Sequence, residues 1–407
     1  MKIRSGATTP PFPISRAEIS RSRLLSNFAQ LRSLVQQQAN GQHCDLFGVV
    51  KGNAYGHGAH LCAPWLVEAG AQWLGVTSVE EGLAVRQYCP EINTLVMVGF
   101  HPANIRSLLD ARLVPTIWDS RHIESLAEIA NQRSLASDSI PVHLEIDTGM
   151  SRQGVNFPGG ELTSILGQIR AVPALRLDGV FTHFASSEIL DAEQNSQQMA
   201  QFEQATKQIF AAGFRPRWIH AGSSATVLGQ RQLQSLLKLT KSVGAMPLLR
   251  PGLALYGYVL PLVRGDGEVA PTPIDLQPVM AWKTSIASIR FVKAGAEVGY
   301  NGTFIAPARM RLALLPVGYA DGLNRKLSNR GHVLVGGTRA PIVGRVSMDL
   351  TIVDVSHTNA KAGEEVVILG EQNGQRITAD DHARWAETIP YEILCVIGTR
   401  VARVEAP

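Results

Sequence analysis

The run Val49-Val50-Lys51-Gly52-Asn53-Ala54-Tyr55-Gly56-His57-Gly58 places an amine where chemistry can use it. Apolar or small residues from Phe47 to Val50 lead straight into Lys51, and a glycine-rich loop with one tyrosine follows. A lysine at the end of a buried strand is desolvated, which lowers its pKa and makes it a usable nucleophile and base. The alternative is a surface lysine opening a flexible loop, and the company Lys51 keeps decides between the two. Arg152, His183, Ser223, Ser224 and Arg250 each stand in, at the end of, or just after an apolar run. Singly they read as a core histidine, a loop cap or a solubilising charge. Together they suggest one chemically equipped rim.

The elements that must position them repeat one pattern between residues 47 and 257: a short apolar, β-branched run, a polar or glycine turn, then a helical run. Eight apolar runs occur: Leu46–Lys51, Trp73–Thr77, Thr94–Val98, Val114–Trp118, Val142–Asp147, Leu177–His183, Arg217–His220 and Leu248–Leu255. Spacers such as His60–Glu68, Ser78–Gln87 and Met199–Ala212 carry amphipathic helical patterns. An earlier helix is marked by Leu24, Leu25, Phe28, Leu31, Leu34 and Val35 at helical spacing, with Ser20 as its cap candidate. Eight βα units of this size predict an α/β fold, a (β/α)8 barrel and not an open sheet. In such barrels the active site lies at the carboxyl ends of the strands, which is where Lys51 and the residues named with it fall.

The pattern changes after residue 257. A proline- and glycine-rich stretch from Pro261 to Pro278 reads as a linker, and strand-like runs follow: Ala281–Val292, Arg311–Val317, His332–Val335, Pro341–Val346, Thr351–Val355 and Glu365–Leu369. A short helix, Ala379–Glu387, has Thr378 before it as a cap, and Tyr391–Val404 closes with strand character. The expected organisation is a barrel over 15–257 and a mainly β domain over 258–407, with residues 1–18 packing on the latter.

Composition is that of an ordinary globular protein: 407 residues, 45% hydrophobic, 18% charged, net charge +4. Without a basic block, nothing points to nucleic acid or a membrane surface. The N-terminus lacks the apolar core of a signal peptide, and no run of about 18 apolar residues suggests a transmembrane helix. Cys44, Cys62, Cys89 and Cys395 are scattered with no CxxC, so reduced thiols in a cytoplasmic protein are expected, and no metal site.

In this order and spacing the residues resemble the alanine racemase family over nearly the whole chain. The motifs are the Lys51 run, Asp147-Thr148-Gly149-Met150-Ser151-Arg152, Thr182-His183-Phe184-Ala185 and Arg250-Pro251-Gly252-Leu253-Ala254-Leu255-Tyr256-Gly257. In the second domain they are Val298-Gly299-Tyr300, Pro316-Val317-Gly318-Tyr319-Ala320-Asp321-Gly322, Gly344-Arg345-Val346-Ser347-Met348-Asp349 and Tyr391-Glu392. The resemblance implies racemisation of alanine with pyridoxal 5'-phosphate and a supply of D-alanine for peptidoglycan. Lys51 would hold the cofactor covalently. Ser224, the amides of Gly252 and Leu253, and the hydroxyls of Tyr55 and Tyr391 would contact its phosphate. Arg250 would face the pyridine nitrogen and keep it unprotonated, because a guanidinium is effectively never deprotonated. His183 would stack near the ring and link Arg250 to Tyr300.

Racemisation removes a proton from one face of Cα and returns one to the other, so two acid–base groups on opposite sides are the natural solution. The resemblance assigns Lys51 to one face and Tyr300 to the other. A tyrosine pKa near 10 must fall for this, and a cationic His183–Arg250 pair is the expected cause. Tyr300 would come from a second copy of the chain, which makes the working unit a homodimer with shared active sites. Arg152 and the Met348 amide would bind the substrate carboxylate, and Arg345 and Tyr319 would line the entrance, with Asp349 in support.

The chain departs from the family pattern at Glu145, where many members carry a carbamylated lysine that orients the equivalent of Arg152. Strand alternation puts His143, Glu145 and Asp147 on one face, pointing into the barrel, and the expectation is that Glu145 supplies the negative charge itself, without carbamylation, its shorter side chain reaching Arg152 through water or a counter-ion. Ser223 replaces an asparagine and Ser347 a cysteine of many members, which leaves a broad-specificity amino-acid racemase as the neighbouring reading. A decarboxylase on the same barrel is disfavoured by Arg250. A non-catalytic carrier of pyridoxal phosphate is disfavoured by the second domain with Tyr300 and Met348.

Overall fold

The computed structural model describes residues 15–406, which divide into two compact units. One is Ser22–Gln277; the other joins the described residues up to Arg21 to those from Pro278 onward. The expected linker thus lies mainly with the first unit. Of the N-terminal residues expected on the second, those before Ser15 lie outside the described residues.

The first unit is the expected (β/α)8 barrel. Its strands are β1 (Asp45–Val49), β2 (Trp73–Val76), β3 (Asn93–Val96), β4 (Val114–Ile117), β5 (Ile140–Asp147), β6 (Leu175–Thr182), β7 (Trp218–Ala221) and β8 (Met246–Leu249). Every neighbouring pair is parallel, and the pairing of Leu248 with Asp45 closes β8 onto β1. Helices follow because the spacers carry apolar residues at helical spacing. Ser120–Gln132, for example, buries Ile123, Leu126 and Ile129. The barrel interior is not wholly apolar. His143, Glu145, His220 and Arg250 are all buried there among Phe47, Trp73 and Phe181.

Two strand boundaries differ from expectation at positions that matter. The eighth strand ends at Leu249, not Leu255, since Pro251 cannot donate to a ladder and Gly252 turns the chain (φ −117°, ψ −91°) into a 3-10 turn, Leu253–Tyr256. The first ends at Val49, and Lys51 opens a short helical segment, Lys51–Tyr55.

The second unit is mainly β. A mixed sheet runs in the order Thr338–Pro341, His332–Val335, Glu365–Gln372, Met280–Ser285, Arg16–Ile19, Ala402–Glu405. A second sheet pairs Ser288–Val292, Met310–Leu315 and Thr351–Asp354. The single strand expected over Ala281–Val292 is two, because the chain changes sheet at Ile286 and Ala287: Ser285 pairs with Glu365, Ser288 with Leu314. The helix Ala379–Ala386 carries a capping box between Thr378 and Asp381. Tyr391 stands not on a strand but in the first turn of the helix Pro390–Cys395, where Pro390 occupies the position that needs no amide donor. Among the described residues no helix is long and apolar enough to cross a membrane, and the four cysteines are free thiols.

Candidate active site

Lys51 sits on an unusual piece of backbone. Gly52, Asn53 and Ala54 have φ of 61°, 53° and 57° with ψ of 40° to 50°, and Tyr55 has φ 51°. This is a turn of left-handed helix, which costs roughly 1–2 kcal/mol for each residue bearing a Cβ. Its own hydrogen bonds hold it: the Ala54 amide donates to Val50 O (2.8 Å), Gly56 to Gly52 O (2.9 Å) and Gly58 to Asn53 O (2.9 Å). Glu81 holds it from outside. One of its carboxylate oxygens accepts from the Gly52 amide (2.6 Å), and the other accepts from the Thr77 amide (2.8 Å) and hydroxyl (3.0 Å). Strain maintained by such surroundings is a mark of functional sites.

The turn carries Tyr55 inward. A Cβ built on Gly252 would lie 2.2 Å from the Tyr55 hydroxyl, so glycine is required for the two segments to approach. Ser224 Oγ, after β7, accepts from the amides of Gly252 (3.1 Å) and Ala254 (3.2 Å). Tyr55, Ser224, Gly252 and Leu253 are therefore one cluster formed by the segments after β1, β7 and β8. The Gly252 amide expected to face a phosphate is engaged by Ser224. A backbone cradle of this kind, with a serine and a tyrosine hydroxyl beside it, suits a phosphate after the last two barrel strands, so the residues present fit pyridoxal phosphate. Lys51 stands on the same rim, after β1. Ser223 Oγ lies 3.4 Å from Ser187 Oγ.

Arg250 is the buried cation of the barrel end, 6% exposed. One terminal nitrogen donates to Thr182 O (2.8 Å) and approaches His183 Nδ1 (3.4 Å); the other donates to His220 Nδ1 (2.8 Å). The guanidinium also lies over the Phe181 ring at 5.0 Å. Burial pulls its pKa down to about 10, with Glu145 acting the other way, so it remains a cation at neutral pH. His183 is held at about 3 by burial and then by the charges of Arg250, Arg152 and Lys51. The expected cationic pair is thus corrected: His183 is neutral and Arg250 alone carries the charge. The principal partner of Arg250 is His220, which sequence reasoning missed because a histidine inside an apolar strand run reads as core.

Glu145 points into the barrel and is 2% exposed. Its carboxylate accepts a short hydrogen bond from Gln153 Nε2, which also donates to Met97 O at 3.0 Å. Arg152 is exposed and makes neither hydrogen bond nor ion pair with Glu145. As its shorter side chain suggested, Glu145 does not meet Arg152 directly: the side-chain amide of the next residue, Gln153, lies against it. Burial pushes the Glu145 carboxyl up to about 7, against the Gln153 hydrogen bond and the charges of Arg250 and Arg152.

The other candidates belong to the β unit. Tyr300 is 69% exposed and lines a cavity of about 390 Å³ with Gly299, Arg345, Ser347, Leu350 and Ile352. Ser347 Oγ both donates to Leu350 O (2.7 Å) and accepts from its amide (3.1 Å), which closes the loop that bears Met348. The Met348 side chain is 53% exposed, so it does not fill the core. Its carbonyl accepts from the Ala320 amide and that of Ser347 from Tyr319 (3.0 Å each), binding the loop of Tyr319 to the loop of Met348. Arg400 ties the two loops together, with Nε 3.1 Å from Asp321 and a terminal nitrogen 2.8 Å from Asp349.

Two family models match the chain: the N-terminal domain of alanine racemase over residues 19–260 and its C-terminal domain over 279–405. An alanine racemase of Syntrophobacter fumaroxidans is 37% identical over 385 residues, 94% of this chain and 95% of that one. The structure of the alanine racemase from Streptomyces coelicolor A3(2) superposes with a TM-score of 0.83 at 32% identity, covering 97% of this chain and 98% of its own. That from Bartonella henselae, with covalently bound pyridoxal phosphate, gives 0.78 at 27% identity, covering 96% and 99%.

Proposed function

The chain belongs to the alanine racemase family, a pyridoxal-phosphate-dependent isomerase of alanine, and from that premise we propose which of its residues carry the reaction. The barrel unit, Ser22–Gln277, holds the cofactor through Lys51, with Tyr55, His183, Ser224, Gly252 and Leu253 around it, and Tyr391, a residue of the β unit, is the further phosphate contact. When bound, pyridoxal phosphate supplies the electron sink that makes the Cα–H of alanine acidic.

Arg250 carries the reading. A guanidinium has donors and no acceptor, so a ring nitrogen bound against Arg250 would have to accept and would stay unprotonated. An unprotonated ring is a weaker sink, which favours return of the proton to Cα over its loss elsewhere. Arg152 and the Met348 amide hold the substrate carboxylate, so Cα presents its two faces to two fixed groups. With Tyr300 as the phenolate and Lys51 Nζ as the ammonium, Tyr300 takes the proton from L-alanine and Lys51 delivers one to the opposite face; for D-alanine the Lys51 amine takes the proton and the Tyr300 hydroxyl delivers one. Tyr319, Arg345, Asp349, Ser223 and Glu145 shape the pocket and its entrance.

Tyr300 acts from a second copy of the chain, so the working enzyme is a homodimer. The support is an exposed apolar face on the β unit where Tyr300 and Leu350 line one cavity and Met348 (53% exposed) stands on the loop that Leu350 closes. A soluble protein seldom leaves such a face uncovered. The product serves peptidoglycan synthesis, in the cytoplasm.

The test follows optical rotation of each enantiomer together with visible absorbance. Lys51→Ala abolishes the cofactor absorbance band and activity. Tyr300→Phe keeps the band and slows proton removal from L-alanine at least about a hundredfold, more than from D-alanine. Equal, small effects in both directions would overturn the assignment of the two bases.

A further inference from the structure

We propose that His143 is a positioning residue for Arg250, acting through His220 to fix the guanidinium that faces the cofactor ring. The proposal rests on the reading of Arg250 given above. Arg250 can only donate, so His220 Nδ1, 2.8 Å away, must accept. A neutral imidazole with an accepting Nδ1 carries its proton on Nε2, and His220 Nε2 lies 2.9 Å from His143 Nδ1. His143 Nδ1 therefore accepts in turn, and its own proton is on Nε2. The direction of every hydrogen bond follows from the one group in the chain that cannot reverse. Both rings are buried beside a cation, which keeps them neutral.

The fold is built around this relay. β5 and β6 slip register between Val142 and His143, so that His143 stands opposite Gly179 and not Asp178. A Cβ on Gly179 would lie 2.6 Å from the His143 ring, so only glycine admits that ring. Phe181 stacks on His220 at 4.6 Å between centroids, and Trp73 packs against His143 at 5.0 Å. His143 Nε2 finds no partner among the described residues. A buried donor left unpaired destabilises the fold, and an apolar side chain of the same size would avoid that cost. Stability is sacrificed at His143 for what its other nitrogen does.

The test uses the holoenzyme and two variants. His143→Asn keeps an acceptor close to the place of Nδ1; His143→Leu removes it at similar volume. The Leu variant should bind pyridoxal phosphate about tenfold more weakly, lower kcat about tenfold with KM for alanine little changed, and shift the pH at which the visible band changes. The Asn variant should recover most of each. Nitrogen NMR of labelled histidine should find the His220 proton on Nε2. A proton on Nδ1, equal impairment of both variants, or no effect of either would overturn the proposal. If the unaltered protein retains no cofactor, the reading of Arg250 fails instead, and the NMR result still decides the relay.

Discussion

Glu145 shows how much one substitution changes the local electrostatics. Its carboxyl is raised from an ordinary 4.5 to about 7, so the folded protein binds this proton more tightly than the unfolded chain does. Stability contributed through Glu145 is therefore highest below the unfolded value and falls as pH rises through the interval from about 4.5 to about 7. Across that interval the loss amounts to about 3 kcal/mol. Glu145→Gln removes the ionisation and keeps a partner for Gln153. Its melting temperature should exceed that of the unaltered protein, by more at pH 8 than at pH 5. The opposite sign at pH 8 would mean that the carboxylate serves chiefly as the counter-ion of Arg250. Strand alternation alone predicts that Glu145 faces inward, because side-chain direction in a strand has a period of two. Its partner was not legible: Gln153 reaches it from beyond the Arg152 turn, and no local pattern encodes that reach.

At the scale of elements, the left-handed turn after Lys51 makes an inverted prediction. Gly52 is exposed, and replacing an exposed glycine by alanine ordinarily stabilises a protein slightly through the unfolded chain. At φ 61° the sign reverses: Gly52→Ala should cost about 1–2 kcal/mol in denaturant unfolding and slow the reaction by misplacing Lys51. A neutral or stabilising result would show that the turn relaxes freely. The barrel was legible because eight apolar runs alternated with helical spacers. Elements whose boundaries depend on a proline were misread. Tyr391 falls in a helix because Pro390 starts one, and the eighth strand stops early because Pro251 cannot continue it. Glu81, which anchors the Lys51 turn, looks in the sequence like any acidic residue in the first turn of its helix, Val79–Tyr88.

For the whole molecule, a shared site makes a prediction that a single-chain site does not. Mixing chains that carry Lys51→Ala with chains that carry Tyr300→Phe in equal amounts should restore activity. Half the random dimers are hybrids and each has one intact site, so about a quarter of the normal site number should return. No recovery above the two parents would place both bases in one chain. The order of the chain adds a different constraint. Arg16–Ile19 lies between Met280–Ser285 and Ala402–Glu405 in one sheet, so the barrel is threaded between two parts of the β unit. During synthesis the barrel sequence leaves the ribosome complete while Arg16–Ile19 still waits for both neighbours. Ala402–Glu405 emerges after Met280–Ser285. A nascent chain can therefore possess a finished barrel and no finished β unit, and the β sheet closes only when Ala402–Glu405 meets Arg16–Ile19.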